Sequence, residues 1–140
     1  MSAVTCRSFL FLVVWLTGAN SHLLKFEDCG SVKGRVIQVD FVPCGYLNIE
    51  FSMLETVQNA TILMNQIVEG KPEPAPLPYI YACNQYDFYG LTCPLHTGGR
   101  YNFSLDLAQE EPEFHLKGRF TLKDLPGHVI FCSQFNFWFC

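Results

Sequence analysis

The chain has 140 residues, 49% of them hydrophobic and 15% aromatic, with only 16% charged and a formal net charge of −4. That length suits one domain with one core, and an acidic balance without a basic cluster excludes nucleic acid, whose phosphates need a concentrated positive face. The same scarcity of Lys and Arg argues against tight docking on anionic membranes.

Residues 1–21 read as a signal peptide. Arg7 supplies the positive region, Phe9 to Leu16 the apolar stretch, and Ala19-Asn20-Ser21 a small-x-small cleavage site. The apolar stretch has eight residues, where a membrane span needs about 20. The expected domain is therefore 22–140, secreted, and with Arg7 gone it carries eight Lys and Arg against thirteen Asp and Glu.

Cys6 leaves with the leader. Cys29, Cys44, Cys83, Cys93, Cys132 and Cys140 remain, an even set that permits 15 pairings among which sequence alone does not choose. In an exported chain they read as structural disulfides. No C-x-x-C spacing occurs, and Cys93-Pro94-Leu95-His96 is a lone C-x-x-H without a second ligand pair, so no metal and no cofactor are expected.

Along the chain, apolar and polar residues alternate with the period of strands that bury one face. Arg35 to Val42 is a less regular strand stopped by Pro43. In Tyr46 to Met53, Leu47, Ile49, Phe51 and Met53 point one way; in Ala60 to Val68, Ile62, Met64 and Val68 share a face. Tyr101, Phe103, Leu105 and Leu107 form the next stripe, then Phe114, Leu116, Phe120 and Leu122. The last run sets Val129, Phe131, Phe135, Phe137 and Phe139 against Ile130, Cys132, Gln134, Asn136, Trp138 and Cys140, bulky on both sides and so covered on much of both faces. Turn signals such as Glu69-Gly70 and Leu125-Pro126-Gly127 recur about every dozen residues, which predicts an all-β sandwich of antiparallel strands without a helix of ordinary length.

Lys71-Pro72-Glu73-Pro74-Ala75-Pro76-Leu77-Pro78 forbids a helix and removes every second backbone donor. It is an extended edge strand or a polyproline stretch, and its place inside one small domain argues against a free linker. Asn59-Ala60-Thr61 and Asn102-Phe103-Ser104 are N-glycosylation acceptors. His22, His96, His115 and His128 make no i, i+2 or i, i+4 pair and read as surface residues. No Gly-x-Ser-x-Gly elbow occurs and every mature cysteine is consumed in a bridge, so no enzyme is expected. Thirteen Phe and six Tyr fit either a generous core or the lining of a pocket between splayed sheets. An immunoglobulin domain would need a tryptophan about a dozen residues after its first bridged cysteine, whereas Trp138 lies at the far end.

Phe26-Glu27-Asp28-Cys29-Gly30-Ser31, Pro43-Cys44, Gly70-Lys71-Pro72-Glu73-Pro74-Ala75-Pro76-Leu77-Pro78, Cys83 with Cys93-Pro94, Tyr101 and Phe131-Cys132 together resemble the MD-2-related lipid-recognition (ML) family, most closely its Niemann-Pick type C2 branch of secreted sterol-transfer proteins. The resemblance spans essentially the whole mature chain. It implies an immunoglobulin-like β-sandwich whose sheets open to take one lipid, with Cys29 paired to Cys132 and Cys83 to Cys93. The family's short bridge after the second strand is broken here, because Cys44 lacks its nearby partner and Cys140 is extra; Cys44 with Cys140 is the expected third pair. The sterol-carrying branch has bulky apolar residues between the prolines, whereas this mouth has Lys71, Glu73 and Ala75, with Gln109 near the same rim. A polar rim suits a fatty acid, a lysophospholipid or a small hydrophobic signal, with Lys71 as a carboxylate partner.

The expected function is a monomeric, non-enzymatic carrier of a sterol, fatty acid or semiochemical. Its lining is assigned to Ile49, Phe51, Met64, Val68, Leu77, Tyr101, Phe103, Leu105, Phe114, Leu116, Phe120, Phe131 and Phe135. The alternative is an extracellular lipid-recognition module acting as co-receptor in innate immune or chemosensory signalling. A membrane receptor or membrane sterol transporter is the expected macromolecular partner, and the site of action is extracellular or the endosomal and lysosomal lumen.

Overall fold

The computed structural model describes residues 21–42, 45–74, 80–83, 91–106 and 114–139. Among them every regular element is a strand: β1 His22–Leu24, β2 Glu27–Asp28, β3 Gly34–Phe41, β4 Tyr46–Met53, β5 Ala60–Val68, β6 Lys71–Pro74, β7 Ile80–Tyr81, β8 Arg100–Asp106, β9 Phe114–Asp124 and β10 Val129–Phe139. They form two antiparallel sheets. The smaller runs β1-β3-β4-β8, and the larger runs β2-β10-β9-β5-β6, with β7 also pairing β5.

Alternation explains which faces meet. In β4, Leu47, Ile49, Phe51 and Met53 are buried while the residues between them are not, because successive side chains of a strand leave opposite faces. The irregularity expected of the third strand is a bulge between Val36 and Gln38, after which Val39 and Phe41 return to the core. A second bulge lies between Val129 and Phe131; Ile130 and Cys132 are buried along with Phe131, as expected of a strand covered on both faces.

The proline run makes a sheet edge. Lys71–Pro74 pairs with Asn65–Val68 of β5, through a two-residue turn in which Glu69 and Gly70 both have positive φ (52° and 78°), as tight hairpins of the primed type require. Residues 75–79 follow outside the described part.

The two sheets are pinned together at one end. The chain leaves β2 and crosses to β3 there, and the Val32 and Lys33 N–H groups donate to the Ile130 and Val129 carbonyls at 3.2 and 3.3 Å. Gly34 starts β3 because a Cβ there would sit 2.9 Å from the Ser52 carbonyl oxygen and 3.1 Å from the Ile130 side chain. Cys29–Cys132 ties the β2 edge to β10, and Cys83–Cys93 closes the segment between β7 and β8. These are the two pairs implied by the resemblance; Cys44 and Cys140 lie outside the described residues.

Candidate lipid-binding site

Register lines up the inner face of the larger sheet in rows. At the pinned end stand Phe131, Leu122 and Ile62, with Ile80 beyond; next come Ser133, Phe120 and Met64; then Phe135, Gly118, Gln66 and Glu73. Cross-strand partners share a face, so Lys71 (opposite Val68) and Glu73 (opposite Gln66) continue this inner surface onto the exposed edge strand. The face thus runs from wholly apolar at the pinned end to polar at the far corner. On the facing sheet, Val39, Ile49 and Phe103 form one row and Phe41, Leu47 and Leu105 the next, all buried.

The aromatic rings divide along the same axis. Phe51 of the smaller sheet meets Phe131 of the larger at 5.0 Å between centroids, and Tyr101 flanks Phe51 at 5.9 Å. Farther along, Phe120, Phe135 and Phe137 pack within one sheet: Phe120 stacks on Phe135 at 5.2 Å, and Phe137 lies 5.7 and 5.8 Å from the two. Gly118 makes room for them, since a Cβ there would fall 2.5 Å from Phe137 and 3.2 Å from Phe120.

One hydroxyl interrupts this surface. Ser133 is fully buried, and its Oγ has no hydrogen-bond partner, a state that costs about 1–3 kcal/mol. Neighbouring hydroxyls are satisfied: Thr121 Oγ1 donates to the Cys132 sulfur at 3.6 Å, and Ser31 Oγ accepts the Cys132 N–H at 3.0 Å.

Charge is gathered at the pinned end. Lys33 Nζ lies 2.7 Å from Asp124 Oδ2 and 3.8 Å from Glu55, and the His128 N–H donates to Asp124 Oδ1 at 2.7 Å. Burial opposes the Asp124 charge, but Lys33 and the His128 N–H outweigh it and hold the carboxyl below its ordinary value. The hydrogen bond to Asp124 in turn raises the Lys33 ammonium. A surface recess of about 310 Å³ opens beside this clasp, lined in part by Gln58, Asn59 and Pro126. It lies away from the inner rows.

Of the residues assigned to the lining, Ile49, Phe51, Met64, Phe103, Leu105, Phe120, Phe131 and Phe135 are buried in the core. Phe51 and Phe131 occupy the pinned end. Tyr101 is half-buried there; its hydroxyl accepts the His96 N–H at 2.7 Å, and its ring lies where a Gly99 Cβ would be. Val68 ends β5 41% exposed at the polar corner, opposite Lys71. Phe114 and Leu116 hold register positions opposite Phe139 and Phe137. Lys71 and Glu73 are exposed, whereas Leu77, Ala75 and Gln109 lie outside the described residues. Asn59 and Asn102 both face solvent, with Asn102 Oδ1 accepting from Asn48 at 3.2 Å. Among the described residues no group of three or more His, Cys, Asp and Glu is placed to hold a metal.

Sequence reasoning passed over two features. Ser133 had a signal, because parity puts it with Phe131 and Phe135. The Lys33–Asp124 clasp had none, since its partners are 91 residues apart.

The model of the ML domain matches residues 24–139. The chain belongs to the ML-domain family. It is 29% identical over 126 residues to the NPC intracellular cholesterol transporter 2 of Danio rerio, covering 80% of this chain and 82% of the relative. With the Mus musculus protein of the same name it shares 28% over 139 residues, 89% and 91% of the two lengths. Among solved structures, a Niemann-Pick type C2 protein from the Japanese carpenter ant superposes with a TM-score of 0.63 at 20% identity, over 80% of this chain and 96% of that one. Chicken MD-1, solved in complex with lipid IVa, gives 0.52 at 13% identity over 83% and 94%. Both likenesses are of fold, and both agree with the sandwich described above. The family makes this chain a lipid-binding domain rather than an enzyme.

Proposed function

We propose that this protein is a secreted, monomeric carrier that takes one amphipathic lipid between its sheets and delivers it to a membrane receptor or membrane sterol transporter. One observation carries the reading: apart from the Ser133 hydroxyl, the inner face of the larger sheet is apolar from Phe131 to Phe135 and then ends at Gln66 of β5 and at Glu73 and Lys71 on the edge strand. Such a gradient matches a molecule with an apolar body and one polar head. Each methylene drawn into the apolar part contributes about 0.8 kcal/mol, and the rim chooses the head. Lys71 favours a carboxylate, so a fatty acid or an acidic semiochemical fits the rim better than a sterol, whose single hydroxyl gains little from a cation. The vertebrate relatives named for cholesterol transport support the lipid class and leave sterol as the competing ligand.

A presenting role is favoured by one feature. Val68 stands 41% exposed at the polar corner, as an apolar lip offered to a receptor would. Pull-down of candidate receptors with and without lipid separates delivery from co-receptor presentation.

The carrier reading is tested by titrating the delipidated protein with fluorescent fatty-acid and sterol probes, then repeating with Phe103→Glu and Phe120→Glu. Binding by the wild type and its loss in both variants, with β spectra intact, supports the reading. Undiminished binding in correctly folded variants contradicts it.

A further inference from the structure

We propose that Ser133 is a buried anchor for an uncharged oxygen on the lipid's apolar body, so that the ligand is an oxygenated chain or ring. The inference rests on the carrier reading above and deepens it.

Ser133 lies between Phe131 and Phe135 along β10, directly opposite Phe120, which stands opposite Met64. Toward β9 and β5 the neighbours in that row are apolar, and on the other side exposed Asp28 of β2 stands opposite Ser133. A sandwich whose only task was to close on itself would place an alanine there, filling the same volume without a polar atom. Instead a hydroxyl is fully buried with its Oγ unpartnered, while the hydroxyls of Thr121, Ser31 and Ser104 all have partners. A group desolvated by folding and left unpaired gains most from a bound molecule that supplies the missing hydrogen bond.

The oxygen has to be neutral. Asp124, a buried acid of this core, is bound by Lys33 and the His128 N–H at the pinned end, and on the exposed edge strand Glu73 ends the Gly118 row while Lys71 lies beyond it. Asp28, opposite Ser133 on β2, is engaged by the backbone N–H of Ser31 and by the Ser31 hydroxyl. Among the described residues no cation is thereby placed to compensate a carboxylate at Ser133, and an uncompensated charge among phenylalanines is strongly disfavoured. A hydroxyl or carbonyl needs no such partner, and the serine hydroxyl can both donate and accept.

The test walks a hydroxyl along a fatty acid. Delipidated wild-type protein and Ser133→Ala are titrated with stearate and with hydroxystearates differing only in hydroxyl position, by displacement of a fluorescent fatty-acid probe. One position, or two adjacent ones, should bind the wild type about fivefold tighter than the others, the worth of one net hydrogen bond. Ser133→Ala should erase that optimum, bind stearate within about twofold of wild type, and unfold at the same or a higher temperature. Stearate binding without a positional optimum, an optimum that survives in Ser133→Ala, or a lowered unfolding temperature of that variant would each overturn the anchor while leaving the carrier standing. Failure of the wild type to bind any hydroxystearate would overturn the anchor, and failure to bind the sterol probe as well would overturn both.

Discussion

Phe51 of β4 and Phe131 of β10 face each other across the two sheets with ring centroids 5.0 Å apart, beside the crossing where the Val32 and Lys33 N–H groups bond to β10. This pair closes one end of the sandwich, and the polar corner at Val68, Lys71 and Glu73 lies at the other. Truncating Phe131 to alanine should cost about 3–5 kcal/mol in denaturant unfolding, because the ring is fully buried and its neighbours on both sheets collapse only in part. Val68→Ala at the exposed rim should cost under about 0.5 kcal/mol.

The Lys33–Asp124 clasp sets a pH window for stability. Asp124 has a folded pKa below its ordinary 3.8, so its contribution is fully present above that value and is lost as pH falls through the lower folded one. Lys33 is raised above 10.5, so its contribution holds up to that pH and is lost as pH rises through the folded value. The clasp therefore stays charged at endosomal and lysosomal acidity. The difference in unfolding temperature between wild type and Asp124→Asn should be constant from roughly pH 5 to 7 and shrink below pH 3.8.

The two described disulfides should differ in worth. Cys29 and Cys132 are 103 residues apart and Cys83 and Cys93 only 10. Loop-closure entropy then assigns about 5 kcal/mol to the first and about 3 kcal/mol to the second. Denaturant unfolding of the two double-serine variants should reproduce that order.

At the rim, Lys71→Glu should weaken fatty-acid binding by up to about fivefold, the range of an exposed ion pair, and leave binding of an uncharged long-chain alcohol unchanged. Probe displacement with the matched acid and alcohol reads both, and equal losses for the two ligands would remove Lys71 from head-group selection.

Much of this architecture was legible before any coordinates. Leu47, Ile49, Phe51 and Met53 alternate so cleanly that their common burial follows from strand geometry, and the prolines after Lys71 could lie only at an edge if they entered a sheet. The bulges were not legible, because an extra residue in one strand leaves composition and turn signals unchanged; it only shifts which residues share a face, as after Val36. Tyr101 alternates with its stripe yet bonds the His96 turn, a choice made by a loop whose path the sequence does not encode locally. Ser133 was readable by parity and passed over, since a small polar residue among phenylalanines draws attention only when its hydroxyl is found buried and unpaired.

Carriage requires that one amphipathic lipid reside between the sheets. Native mass spectrometry of the protein purified from eukaryotic secretion, followed by organic extraction, tests it most directly. The expected species is heavier than the polypeptide by one lipid, which extraction removes and returns as an oxygenated, long-chain or ring compound. A protein recovered empty, and unresponsive afterwards to fatty acid, sterol and fluorescent lipid probes, would contradict it.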